Sequence, residues 1–213
     1  MKSKKLLIGL SALLTVLLLP TMLAAGASHD DFLRLTDTSG GYPTWDSDIM
    51  NVRDFLGEDT GYTGEGVYVA VLDTGLAPNW AEYFPKDRIA TDLGIGFVEN
   101  VHVGSDGNFY TTGEIHTSTF IGSTGSTHGT HVTSTIIGYF YDSPYDTSPD
   151  IPPIVVRGIA PKATIIPVKV LETYYFPDYS GPEGYTFGTD GMIAAGIRYA
   201  TSLKLSGYSP MII

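Results

Sequence analysis

The chain has 213 residues and a formal net charge of −11, with 43% hydrophobic and 16% charged residues. This length fits one domain with a sizeable core, and the composition is typical of a folded globular protein. The negative charge argues against a nucleic-acid partner, because the phosphates would be repelled. The absence of cysteine excludes disulfides, thiol nucleophiles and cysteine metal sites.

The first 27 residues have the pattern of an export signal. Lysines precede an apolar run from Leu6 to Leu19, and the small residues Ala25-Gly26-Ala27 follow it. The apolar run is shorter than the roughly 20 residues that a membrane-spanning helix needs. We therefore predict a signal peptide over residues 1–27 and a secreted protein without a stable membrane partner, with an uncleaved signal anchor as the alternative.

Residues 28–59 are polar and read as an N-terminal lead-in, with a short helix predicted over residues 49–56. The main domain is predicted to span residues 60–213. It opens with the glycine-rich segment Gly61–Gly66, which we interpret as a turn because a dinucleotide-binding fingerprint follows a strand instead of preceding one.

The segment Val67–Leu72 is a nearly continuous β-branched and apolar run, typical of a strand buried on both faces of a parallel sheet. The run ends at Asp73-Thr74-Gly75. A carboxylate at the carboxyl end of such a strand lies where open α/β sheets bind their ligands. Asp73 is therefore a candidate site residue, although an aspartate that closes a turn with Gly75 has the same pattern.

Residues 77–125 show no regular pattern, and we expect an irregular segment in which His102 and His116 lie at the surface. A helix is then predicted to begin at His128, with Ser126 or Thr127 as its cap. An imidazole titrates near neutral pH and can accept a proton and return it. The positive end of the helix dipole disfavours the imidazolium form, so His128 is a candidate general base.

The second half of the chain is predicted to hold a long loop, a strand, an aromatic loop, a helix and a final strand. Asp142, Asp146 and Asp150 in the first loop leave a structural calcium ion open, although they lack the spacing of a known cation loop. Pro167 interrupts the second buried strand, where we expect an edge or a bulge. The predicted segments are Tyr139–Pro153, Thr164–Leu171, residues 174–187, Asp190–Leu203 and Pro210–Ile213.

The resulting order of strand, helix, strand, helix and strand predicts an α/β fold with a parallel sheet and crossover helices. The aromatic rings of residues 174–187 either line an extended-peptide cleft or cover the core.

Three stretches together resemble the subtilisin-like serine proteases: Val69–Gly75, His128–Val132, and Gly158-Ile159-Ala160-Pro161 leading into Val168–Leu171. The resemblance covers residues 51–213, and 55 residues separate Asp73 from His128. It implies a three-layer subtilisin-like α/β fold, incomplete at the C-terminus. It also implies hydrolysis of protein or peptide substrates by a Ser-His-Asp mechanism, for which no cofactor is required.

In this resemblance, Asp73 is the carboxylate that orients His128, and His128 is the general base and acid. His131 is expected to be structural. The family's nucleophilic serine and oxyanion-hole asparagine have no match here, and Ser123 and Ser126 lie too near His128 in sequence to replace the serine. We therefore expect residues 60–213 to be a partial catalytic domain that is inactive alone.

Three alternatives remain open at this point. An aspartic protease would also use Asp73-Thr74-Gly75, but it needs a second such loop. A zinc hydrolase would use His128 and His131, although their spacing lacks the adjacent glutamate of the usual helical pair. A secreted, non-catalytic binding protein would keep the protease scaffold while Asp73 and His128 became dispensable.

Overall fold

The computed structural model describes residues 35–45, 61–123, 127–141, 154–176 and 184–213. The predicted signal peptide, the predicted helix over residues 49–56 and the three aspartates of the calcium hypothesis (Asp142, Asp146 and Asp150) lie outside these residues, as does Ser126.

The described residues form nine strands, two α-helices and two short 3-10 turns. The strands are β1 (Tyr68–Asp73), β2 (Ile95–Val103), β3 (Phe109–Ser118), β4 (Gly138–Tyr141), β5 (Ile154–Arg157), β6 (Thr164–Lys169), β7 (Glu172–Tyr174), β8 (Tyr185–Phe187) and β9 (Met211–Ile212). The helices are α1 (His128–Ile137) and α2 (Asp190–Leu205), and the 3-10 turns are Trp80–Glu82 and Lys86–Arg88.

The main sheet has five strands in the order β3-β2-β6-β1-β9. Strand β1 runs parallel to both of its neighbours, β6 and β9, and β2 runs parallel to β6. Only β3 is antiparallel, because it forms a hairpin with β2. The mostly parallel sheet with its helices confirms the predicted α/β fold class.

Alternate residues of β1 point into two separate cores. Ala70 packs with Ile166 and Met192 on the side of α2, whereas Val71 packs with Ile137 on the side of α1. A strand covered on both faces needs apolar residues at nearly every position, which explains its unbroken hydrophobic run. Helix, sheet and helix thus form three layers.

The prediction of an irregular segment over residues 77–125 was wrong for the β2–β3 hairpin. These strands do not show the expected alternation, because β3 is exposed along most of its length and a bulge between Glu99 and Val101 interrupts β2. Both His102 and His116 are exposed on this hairpin.

Two other segments predicted as loops contain short strands. Tyr139–Tyr141 belongs to β4, which pairs with β5, and the aromatic segment begins and ends in β7 and β8, which pair with each other. Strands of three or four residues are too short for a hydrophobic period to appear. Residues 35–45 join the same unit, because the Tyr42 backbone exchanges hydrogen bonds with Val155 and Arg157 at 2.9 Å each.

Pro167 lies neither in an edge strand nor at a bulge. It pairs with Val71 in a continuous ladder between β6 and β1. On the other side of β6, pairing with β2 begins only at Val168, after an isolated bridge at Ile165. The ladder to β2 therefore leaves a gap at the proline, where the missing N–H is tolerated.

The part of the chain that the structure describes contains no helix long and apolar enough to cross a membrane.

Candidate active site

Asp73 ends strand β1 at the carboxyl edge of the sheet and is 8% exposed. Its backbone carbonyl accepts hydrogen bonds from the amides of Val170 and Leu171, at 2.8 and 3.2 Å. These bonds continue the pairing of β1 with β6 past the last strand residue. The acid is thereby fixed by the neighbouring strand as well as by its own.

The carboxylate of Asp73 meets the imidazole of His128. Nδ1 of His128 lies 2.8 Å from Oδ2 and 2.9 Å from Oδ1, and the amide of Thr74 donates to Oδ1 at 2.6 Å. A carboxylate only accepts hydrogen bonds, so this contact assigns the proton to Nδ1 and leaves Nε2 as an acceptor. The side chain of His128 is 70% exposed, whereas that of Asp73 is 12% exposed.

Two hydroxyl groups hold the start of α1 against the segment after β1. The amide of Gly129 donates to Oγ1 of Thr74 at 2.9 Å, and the amide of Ala77 donates to Oγ1 of Thr130 at 2.8 Å. The two bonds run in opposite directions between the segments. They fix the separation of the helix start from Asp73, and therefore the geometry of the acid–base pair.

Glycine is required at two positions of this contact. A Cβ atom on Gly129 would lie 2.4 Å from the carbonyl oxygen of Gly75, and one on Gly75 would lie 2.0 Å from the carbonyl oxygen of Phe120. Gly75 also has a φ of 79°, which side chains disfavour. The glycines in the two sequence motifs therefore permit the close approach of three backbone segments.

Helix α1 begins at His128 with Thr127 at the cap position, both as the sequence predicts, but the capping hydrogen bond is absent. Thr127 occupies the cap position with a helical backbone, and its side chain makes no capping hydrogen bond. Its carbonyl accepts from the His131 amide at 2.9 Å. The polar side chains at this end instead connect the helix to the segment after β1.

His131 belongs to a different part of the surface from Asp73 and His128. Its side chain is exposed and lines a cavity of about 940 Å³ beside α1, together with Tyr139, Tyr141 and Trp45. Neither Asp73 nor His128 lines this cavity. His131 thus does not share a site with His128.

The geometry can be compared with the needs of an aspartic protease and of a zinc hydrolase. The partner of the Asp73 carboxylate is an imidazole and not a second carboxylate, which an aspartic protease requires. Among the described residues, no group of three or more histidine, aspartate or glutamate side chains is arranged to hold a metal ion. The contact of Nδ1 with Asp73 favours proton transfer at Nε2.

Two charged groups near this edge are absent from the sequence predictions. Glu99 is buried on β2, and Lys169 is buried at the end of β6, where its Nζ lies 2.5 Å from Oε2 of Glu172. Lys169 pairs in register with Asp73. Each is a single charged residue within a strand, which is the signal that the sequence offered. For Glu99 this signal could not be used, because strand β2 was not predicted.

Asp73 is a buried aspartate that receives the Nδ1–H of the exposed His128 at the carboxyl edge of a parallel sheet, an arrangement that leaves Nε2 of the imidazole open to a proton. The model of the Subtilase family, the S8 peptidases, matches residues 64–187 of the chain. The chain therefore belongs to the subtilase family of serine proteases.

One curated relative is the minor extracellular protease Vpr of Bacillus subtilis (strain 168), which is 29% identical over 142 residues. The match covers 67% of this chain but only 13% of Vpr. The chain is thus similar to a small part of a much longer protein.

Proposed function

We propose that this chain carries the acid and base of a secreted serine endopeptidase. In this proposal His128 takes the proton of the nucleophilic serine through Nε2 and returns it to the leaving amine. Asp73 holds the ring in the tautomer that leaves Nε2 free and stabilises the imidazolium that forms. The supporting observation is the 2.8 Å contact between Nδ1 of His128 and the Asp73 carboxylate.

We further propose that the serine and the oxyanion-hole donor are supplied by residues outside these 213. In the described segments, the imidazole of His128 forms its side-chain contact with the two oxygens of Asp73, and no serine hydroxyl lies within hydrogen-bond distance of it. Acid and base without a nucleophile lack the covalent route. The 213-residue chain alone is therefore expected to be inactive.

Protein and peptide substrates follow from the family. The proposal of secretion, with a signal peptide over residues 1–27, is supported by the lysines before the apolar run Leu6–Leu19 and by the extracellular location in the name of Vpr. The proposed chemistry uses only side chains and water, so no cofactor is assigned to it. A structural calcium ion remains a separate proposal.

The test compares the 213-residue chain with the full-length gene product on a casein substrate and with a fluorophosphonate label. The full-length protein is expected to cleave casein and to be labelled, and the 213-residue chain to do neither. Equal turnover by both would contradict the proposal. A full-length protein that binds protein substrates without cleaving them, and that is indifferent to Asp73→Asn, would support the binding-protein alternative.

A further inference from the structure

Helix α1, which carries His128 at its start, ends in the interior of the domain. Its last residue, Ile137, is fully buried, and the chain passes directly from there into β4. The last carbonyl groups of an α-helix have no partner within the helix, and a buried carbonyl without a donor destabilises the fold. The end of α1 therefore needs hydrogen-bond donors from other parts of the chain.

The carbonyls of the last three residues of α1 all have such donors. Those of Thr135 and Ile136 accept backbone amides of the turn after β5, at 3.1 and 2.7 Å. The carbonyl of Ile137 accepts the hydroxyl of Thr38 at 2.5 Å, from a residue 99 positions earlier in the chain. One of the three donors is thus a side chain from the N-terminal segment.

Thr38 is enclosed by the structure around the helix end. It has 0% exposure, and a Cβ atom added to Gly138 would lie 2.4 Å from its Oγ1. Its hydroxyl and the carbonyl of Ile137 are both buried, so bulk water does not replace their hydrogen bond when one partner is removed. The acid–base mechanism assigns no role to this buried hydroxyl.

Residues 35–45, which we name the N-terminal strap, are anchored on both sides of Thr38. Before it, the carbonyl of Thr36 accepts Nε of Arg88 at 2.8 Å. After it, the backbone of Tyr42 exchanges two hydrogen bonds with β5, each at 2.9 Å. The strap is thus fixed to the body of the domain by bonds that do not involve Thr38, and Thr38 connects it to α1.

Both ends of α1 are therefore held from outside the helix. The start is held through the hydroxyls of Thr74 and Thr130, and the end through Thr38 and the turn after β5. A helix is stiff, so release of one end allows the whole element to tilt about the other. The imidazole of His128 stands at the first residue and takes part in any such tilt.

We propose that Thr38 is a positioning residue for the base: through the N-terminal strap it holds the end of α1 and thereby the angle at which the imidazole of His128 meets Asp73. This inference rests on the proposed peptidase function. Thr38 acts from the far end of the helix, about 14 Å from His128 at 1.5 Å per residue. Its effect therefore falls on turnover and not on substrate binding.

The first experiment measures kcat and KM of the full-length enzyme on a short peptide substrate. Thr38→Val keeps the shape of the side chain and removes the hydroxyl. We expect kcat to fall about fivefold, less than the roughly 10²-fold cost of a 1 Å misplacement, because the start of α1 keeps its own hydrogen bonds. KM is expected to stay within about twofold. Thr38→Ser keeps the hydroxyl and should restore kcat.

Thr36→Val is the matched control, because Thr36 lies in the same strap with an exposed side chain. The same substitution there leaves the carbonyl that Arg88 binds in place. It should change neither kcat nor KM.

A second measurement uses the wild-type enzyme and stays decisive if Thr38→Val does not fold. Amide hydrogen exchange compares Tyr42, in the strap, with Gly138, whose amide donates to the last turn of α1. If the strap holds the helix end, the two amides should have protection factors within about tenfold of each other. In a folded Thr38→Val, exchange at Gly138 should be about tenfold faster, the order expected for one lost buried hydrogen bond.

An unchanged kcat in Thr38→Val, a change confined to KM, or a Thr38→Ser variant as slow as Thr38→Val would overturn the inference. So would a Tyr42 amide that exchanges more than about 100-fold faster than that of Gly138, since the helix end would then persist without the strap. Failure of the proposed function has a different signature: the wild-type enzyme would turn over no substrate, while the exchange measurement would still report on the strap and the helix.

Discussion

Gly129 approaches Gly75 so closely that a Cβ atom on Gly129 would lie 2.4 Å from the carbonyl oxygen of Gly75 and 3.2 Å from Cβ of Asp73. The start of α1 is thus in backbone contact with the end of the strand that carries the acid. This backbone contact sets the separation of Asp73 and His128 together with the hydrogen bonds to the hydroxyls of Thr74 and Thr130.

Gly129→Ala is expected to push the helix start away from Asp73. The added methyl group meets backbone and not a flexible side chain, so the protein should lose about 1–3 kcal/mol of unfolding free energy, as for other overpacked sites. Urea unfolding of the 213-residue chain measures this loss. The control is Gly40→Ala, since a Cβ atom at Gly40 has no neighbour within 4 Å; a similar loss in both variants would contradict the explanation.

Asp73→Asn tests the proposed role of the acid while its shape is kept. An amide that accepts from the Thr74 amide presents its N–H₂ to His128 and favours the tautomer with the proton on Nε2. We expect kcat of the full-length enzyme to fall roughly 10⁴-fold, as in serine proteases in which the corresponding carboxylate is replaced. Circular dichroism should show an unchanged fold, and a kcat within tenfold of wild type would count against the role.

Replacing Glu172 should cost more stability than replacing Lys169, although the two residues form one ion pair. Glu172→Gln leaves the ammonium group of Lys169, which is 5% exposed, without its partner carboxylate. The expected loss of stability is about 3 kcal/mol, the low end for a broken buried pair, because the side chain of Glu172 is 25% exposed and admits water. Lys169→Met, which removes the buried charge, should be less destabilising, as thermal unfolding can show.

An exposed ion pair serves as the comparison. Lys162 and Glu65 are 3.6 Å apart, and the side chain of Glu65 is 73% exposed. Glu65→Gln should change the unfolding free energy by less than about 1 kcal/mol, because water screens such pairs. Equal effects of Glu65→Gln and Glu172→Gln would show that burial does not govern the strength of these pairs.

The lowered pKa of Glu99 predicts that the stability of the protein depends on pH. Its pKa is lowered in the folded protein, chiefly by the hydrogen bond from the hydroxyl of Thr189, so the unfolded chain binds the proton more readily. The stabilisation is fully present above the ordinary glutamate pKa and is lost as the pH falls through the lowered value. Tyr174, which faces Glu99, has a pKa raised by burial and stays neutral in this window.

The measurement is the unfolding free energy of the wild type and of Glu99→Gln from pH 7 downwards. The difference between the two should shrink as the pH falls, because only the wild type carries the titrating group. A difference that stays constant over the acidic range would mean that the charge of Glu99 does not stabilise the fold.

Strand β1, the helix that begins at His128 and strand β6 were predictable because each combines a clear hydrophobic pattern with a short motif. The β2–β3 hairpin was not, since most of β3 faces solvent and needs no apolar alternation. The hydrogen bond between Glu99 and Thr189 joins residues that are 90 positions apart, so it arises from tertiary structure and leaves no trace in the local sequence. Lys169 and Glu172 are only three residues apart, and what the sequence did not show is that Lys169 is buried.

The acid and the base are carried by parts of the fold with different resistance to opening. Strand β1 pairs with β6 along its whole length and is covered on both faces, so its amides that bond to β6 should exchange with solvent only when the domain unfolds as a whole. The side chain of His128 is 70% exposed, so the imidazole can turn away from Asp73 while the anchored start of α1 stays in place. Mild heating should therefore separate the imidazole from Asp73 before the sheet unfolds. On cooling, the contact should re-form without refolding of the sheet, because Asp73 keeps its position at the end of β1.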